Sequence, residues 1–124
     1  MLNPFAGGGR AAKLEDAIRT RIRTDHPGAR FVVAGTIPEA HALIEDTADN
    51  ARIVLIGGDG TINRMLPPML RAGRELGIVP LGSGNDVARA LGLYNMPWPD
   101  ALSHALGAPA AVMDAGVATF ADRE

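Results

Sequence analysis

Ile53-Val54-Leu55-Ile56 runs straight into Gly57-Gly58-Asp59-Gly60-Thr61, and a helical pattern follows at once. An unbroken apolar run is what a strand needs when both of its faces are covered. Glycines directly after it permit a turn too tight for side chains and let backbone N–H groups approach a bulky ligand. Two more segments have the same form. Leu76-Gly77-Ile78-Val79-Pro80 leads into Leu81-Gly82-Ser83-Gly84-Asn85-Asp86, and Met1-Leu2-Asn3, too short for a full strand, leads into Pro4-Phe5-Ala6-Gly7-Gly8-Gly9. Strands alternating with helical patterns predict an α/β fold, here a three-layer α/β/α arrangement around a mainly parallel sheet. Ligands of such sheets bind beyond the carboxyl ends of the strands, so the three glycine loops are expected to converge on one edge.

The remaining pattern fits the same scheme. Leu14, Ile18 and Ile22 make an apolar stripe on a helix expected from Arg10 to about Asp25, which His26-Pro27-Gly28 ends. Arg30 to Ala34 reads as a strand, and Pro38 opens a helix to about Thr47. A helix from about Thr61 meets Pro67-Pro68, which are expected to kink or interrupt it. Short helices are expected from Asn85 to Leu91 and from Asp100 to Leu106, separated by an apolar loop from Leu93 to Pro99. A last strand is expected from Ala110 to Val117.

The chain has 124 residues, the size of one domain. It has no cysteine, which excludes disulfides, thiolate metal sites and cysteine nucleophiles. A net charge of −2 gives no footprint for nucleic acid. No apolar run reaches the ~18 residues that span a bilayer. His26, His41 and His104 lack ligand spacing, so no metal-ligating set is read from them.

Gly57 to Thr61 has the form of a phosphate cradle, because the following helix offers unpaired N–H groups and a positive dipole end. A carboxylate at Asp59 fits such a site if it takes a proton from an attacking hydroxyl or is linked to phosphate through a divalent ion. It also fits a plain helix cap. Asp86 is read as a cap or a Mg²⁺ ligand, and Arg89 as a phosphate contact or a partner of Asp86 one turn away. Gly7-x-Gly9-x-x-Ala12 matches the dinucleotide fingerprint without the strand that should precede it. The P-loop pattern is not present in the sequence.

Asn3-Pro4 with Gly7, Gly57-Gly58-Asp59-Gly60-Thr61-Ile62-Asn63 and Pro80-Leu81-Gly82-Ser83-Gly84-Asn85-Asp86-Val87-Ala88-Arg89 resemble, in that order, the diacylglycerol kinase catalytic domain, the family of bacterial lipid kinases and sphingosine kinases. The GGDGT motif alone is shared with NAD kinases; the PLGSGNDVAR stretch points to lipid kinases. The resemblance implies the nucleotide-binding half of an ATP-dependent lipid kinase, with residues 1–110 as that domain. Residues 111–124 would begin the crossover to a second, mostly β domain. It implies nucleotide contacts at Asn3, Gly7, Gly8, Thr36, Gly57, Gly58, Asp59, Gly60, Thr61, Ile62, Asn63, Gly82, Ser83 and Asn85, with Asp59 catalytic.

ATP with Mg²⁺ and a lipid alcohol acceptor are the implied cofactors and partners. The implied location is cytoplasmic, with peripheral contact to the inner face of the membrane. An apolar face left by an absent second domain would invite pairing of two copies. Against the family pattern, Ala6 stands where Ser is common, and Arg64 stands where Glu is usual. A non-catalytic nucleotide-binding fragment and an NAD kinase-like enzyme are the alternatives.

Overall fold

The computed structural model describes residues 1–116. Its elements are two short helices in tandem, Arg10–Lys13 (α1) and Glu15–Asp25 (α2), then Ile37–Glu45 (α3), Arg52–Gly57 (β1), Asp59–Ala72 (α4), Glu75–Pro80 (β2), Asp86–Ala90 (α5) and Trp98–Gly107 (α6). β1 and β2 pair in parallel, with Arg52 opposite Glu75 and Gly57 opposite Pro80. Their side chains alternate between two cores. Val54, Ile56, Val79 and Leu81 pack with α2 and α6 through Ile18, Ile22, Leu102 and Ala105. Ile53, Leu55 and Ile78 pack with α3 and α4 through Ile44, Ile62, Met65 and Met69. The unbroken apolar run therefore has a helical layer on each side, and the architecture is α/β/α.

Met1-Leu2-Asn3 is a short interior piece of the sheet. Leu2 bridges Val33 on one side and Ile56 on the other, both in parallel sense. The Leu2 N–H donates to the Val32 carbonyl at 2.9 Å and the Ala34 N–H to that of Leu2 at 3.2 Å. Ile56 N–H donates to the Met1 carbonyl at 2.8 Å, and Asn3 N–H to that of Ile56 at 3.0 Å. The Met1 ammonium donates to the Val54 carbonyl at 2.6 Å, and its burial lowers its pKa from 8.0 to about 6. Leu2 is fully buried, and this strand carries the first glycine loop to the sheet edge beside the loop that follows β1.

Several sequence expectations are corrected. The first helix is broken at Leu14, so α1 and α2 are separate. Arg30 to Ala34 forms no full strand; only Val33 bridges, because three residues of partner strand offer a single register position. α6 starts at Trp98, two residues before the expected start at Asp100, with Pro99 in its first turn. Residues 110–116 form no strand and are exposed, and the Val117 end of that expected strand lies outside the described residues.

Pro67 and Pro68 lie inside one continuous α4. A proline at position 68 removes the N–H that would bond the Arg64 carbonyl. His41 Nε2 from α3 stands 2.9 Å from that carbonyl and donates to it in the matching tautomer. Pro68 itself is fully buried, so its ring adds packing where it removes a bond.

Candidate functional site

All three glycine loops leave the same end of the sheet, and they touch. A methyl group on Gly58 would lie 2.8 Å from the Gly82 Cα. One on Gly7 would collide with the Leu81 carbonyl oxygen, and Gly7 in any case holds a positive φ of 63°. Gly58 and Gly82 are glycine because the two backbones are in contact there. Gly57 has a different reason: a side chain on it would occupy the space of the Thr61 hydroxyl.

Polar side chains complete the junction. Asn3 Nδ2 donates to the Thr61 hydroxyl oxygen at 2.8 Å, joining the first loop to the second. The Asn3 side-chain carbonyl accepts the Phe5 N–H at 3.0 Å and turns the loop that follows. Asn85 sits at φ 56° and clips its own loop, accepting from the Gly82 N–H and donating to the Gly82 carbonyl, each at 2.9 Å. Left-handed backbone is tolerated by asparagine, which bonds locally.

Asp59 connects the second loop to the third. Gly58, not Asp59, is the N-cap of α4. The Asp59 carboxylate instead accepts the Asp86 N–H at 2.8 Å and the Val87 N–H at 3.0 Å, one on each oxygen. It caps α5 from another loop, the part that Asp86 was expected to take. The Val87 and Asp86 amides, aided by the Arg89 charge and opposed by burial, hold the Asp59 pKa below its ordinary 3.8. Arg89 does not pair with Asp86; its guanidinium stacks over Tyr94, 4.2 Å from the ring centre.

Beside this junction lies a cavity of about 120 Å³ whose wall includes Asn3, Phe5, Thr36, Ile37, Thr61 and Arg64. Thr36 caps α3, accepting the Glu39 N–H at 3.3 Å, while Glu39 accepts the Gly35 N–H at 3.2 Å in return. Phe5 and Ile37 stand on the cavity wall 73% and 45% exposed and give it an apolar rim. The first N–H groups of α4 have no intrahelical partner, and no side chain caps them. Gly60, among them, has open space where a Cβ would stand.

Of the residues expected to contact a ligand, Asn3, Thr36 and Thr61 share the cavity wall. Gly57, Gly58, Gly82 and Asn85 shape the junction behind it. Gly8 and Ser83 are not enclosed: Gly8 has open space around it, and Ser83 is exposed. Asn63 is exposed on α4, and the Ile62 side chain is buried in the core, leaving only its backbone to the loop. Phe5, Ile37 and Arg64 were not read as site residues. Their signal is positional: each lies within a few residues of a strand end or of the GGDGT turn.

Comparison with known proteins agrees with this arrangement. The diacylglycerol kinase catalytic domain family matches residues 1–118. A probable lipid kinase YegS-like of Chromohalobacter salexigens is 43% identical over 102 residues, covering 79% of this chain and 32% of that protein. A diacylglycerol kinase of Mycobacterium tuberculosis is 33% identical over 95 residues, covering 75% of this chain and 31% of that protein. Diacylglycerol kinase zeta of Homo sapiens is 32% identical over 111 residues, covering 83% of this chain and 12% of that protein. The chain thus spans about a third or less of the length of these relatives.

Proposed function

The chain belongs to the diacylglycerol kinase catalytic domain family, and we propose that it is the nucleotide-binding part of an ATP-dependent lipid kinase. The observation that carries this reading is the meeting of three strand-end glycine loops beside one cavity, with the N-terminus of α4 uncapped. Unpaired N–H groups at a helix start stabilise phosphate through hydrogen bonds and the helix dipole. Asn3, Thr36 and Thr61 line the space where the nucleotide would sit, between Phe5 and Ile37.

The reaction in this reading is in-line transfer. A bond forms from the acceptor hydroxyl oxygen to the γ-phosphorus, the bond to the bridging oxygen breaks, ADP leaves and the hydroxyl proton is released. Asp59, in the family's GGDGT position, is ionised at neutral pH and already accepts two amides. A general base works best with a pKa near the working pH, so the geometry supports Asp59 as a positioning residue that fixes the second loop against the third.

Mg²⁺ comes into this reading from the family. Each Asp59 oxygen accepts one amide and keeps a lone pair, and the Asp86 carboxylate stands beside it at Gly84. These two carboxylates would hold such an ion together with the phosphates, where it would offset their charge, and no step is routed through it.

The division at residue 110 belongs to the same proposal, supported by the exposure of residues 109–116 beyond α6. So does a cytoplasmic location with peripheral membrane contact; among the described residues no helix is long and apolar enough to cross a membrane. A lipid alcohol is the proposed acceptor. Pairing of two copies is proposed with it, since Val112 and Met113 are exposed.

Calorimetric titration of the folded chain with ATP, with NADH as control, tests the reading. Saturable binding of ATP alone supports it. Absence of ATP binding in a folded sample overturns it, and preference for NADH would favour a dinucleotide site.

A further inference from the structure

We propose that Arg64 binds and neutralises the phosphate chain of the bound nucleotide in this protein. The inference rests on the nucleotide reading above and deepens it. Three observations lead to it.

First, Arg64 is the one cationic side chain on the cavity wall, facing the same space as Asn3, Thr36 and Thr61. Second, it has no ion-pair partner among the described residues. Arg10, Lys13, Arg23 and Arg30 also lack an ion pair among the described residues, but none of them lines this cavity. Third, the helix that carries Arg64 starts with N–H groups that no side chain caps, donors that already suit an anion. The site thus offers an anion a free guanidinium beside an uncapped helix start.

Arg64 is also held in place. Its carbonyl, deprived of a helical donor by Pro68, is fixed to α3 by His41. That contact ties the α4 backbone at Arg64 to the same helix that Thr36 caps on the cavity wall. A guanidinium binds phosphate oxygens through paired N–H groups and stays charged at any working pH.

The test is calorimetric titration of the parent chain, Arg64→Ala and Arg64→Lys with ATP and with adenosine, each in Mg²⁺ and in EDTA. Arg64→Ala is expected to lose ~10-fold in ATP affinity in EDTA, less in Mg²⁺, and nothing for adenosine; Arg64→Lys should fall between. Arg64 is exposed, so the variants should fold, and melting curves check this. An ATP affinity of Arg64→Ala unchanged from the parent in both Mg²⁺ and EDTA overturns the assignment while leaving the nucleotide reading intact. A folded parent that binds neither ATP nor adenosine overturns both.

Discussion

Replacing Asp59 with alanine asks whether one carboxylate holds two loops together. The change removes the acceptor of the Asp86 and Val87 N–H groups, now 2.8 and 3.0 Å from its oxygens. Loss of a helix cap costs ~0.5–2 kcal/mol, and bonds to an ionised acceptor lie toward the upper end. Asp59 is only partly buried, so water replaces some of what is lost, and ~1–2 kcal/mol is expected. At ~2.1 cal/mol/K of unfolding entropy per residue, a chain of 124 residues then melts ~4–8 °C lower.

Differential scanning calorimetry near neutral pH reads this directly, and Asp59→Asn, which keeps one acceptor without the charge, should fall between. Acid gives an independent check. Because the folded pKa lies below 3.8, the carboxylate stabilises the fold above that pH and stops doing so as pH falls through the folded value. Parent and Asp59→Ala should therefore converge in stability in strong acid. An Asp59→Ala melting point within ~2 °C of the parent, the range of an ordinary surface substitution, would refute the reasoning.

Four further outcomes are expected. Gly58→Ala should cost ~1–3 kcal/mol by forcing a methyl against the Gly82 backbone. Gly60→Ala, with open space at its Cβ, should not destabilise the fold, as paired denaturant melts would show. In a double-mutant cycle, His41→Ala and Pro68→Ala should couple by ~0.5–1.5 kcal/mol, because an alanine at 68 restores the donor that His41 replaces; additivity would contradict the shared carbonyl. Stability of the chain should rise between pH 6 and pH 8, by up to ~2.7 kcal/mol, since the buried Met1 amine has a pKa of about 6 folded against 8.0 free. Blocking that amine by acetylation should flatten the slope.

The layering was legible because it is written locally. Ile53 to Ile56 needs cover on both faces, and the stripe through Ile18 and Ile22 supplies one of the layers that provide it. What stayed hidden depends on partners distant in the chain. Arg30 to Ala34 has strand composition, but a neighbour as short as Met1-Asn3 gives it one bridge. Pro67-Pro68 reads as a helix breaker until His41 arrives from another helix. The glycine loops were legible as a set, yet local pattern could not separate a glycine that clears a ligand from one that clears another loop. Gly58 and Gly82 are of the second kind. Asp59 looked like a cap for its own helix or a proton acceptor, and only the fold shows that it caps α5.

None of the contacts that close the junction, Gly7 with Leu81, Gly58 with Gly82 and Asn3 with Thr61, joins sequence neighbours. Chain closure over such separations must be offset before these contacts add anything, so they form late in folding. A collapsed intermediate with its helices already in place would hold every residue of the junction and have no junction. Refolding followed by ligand capture should then lag refolding followed by helix content, and the size of that lag would measure how much of the barrier lies in seating three loops on one another.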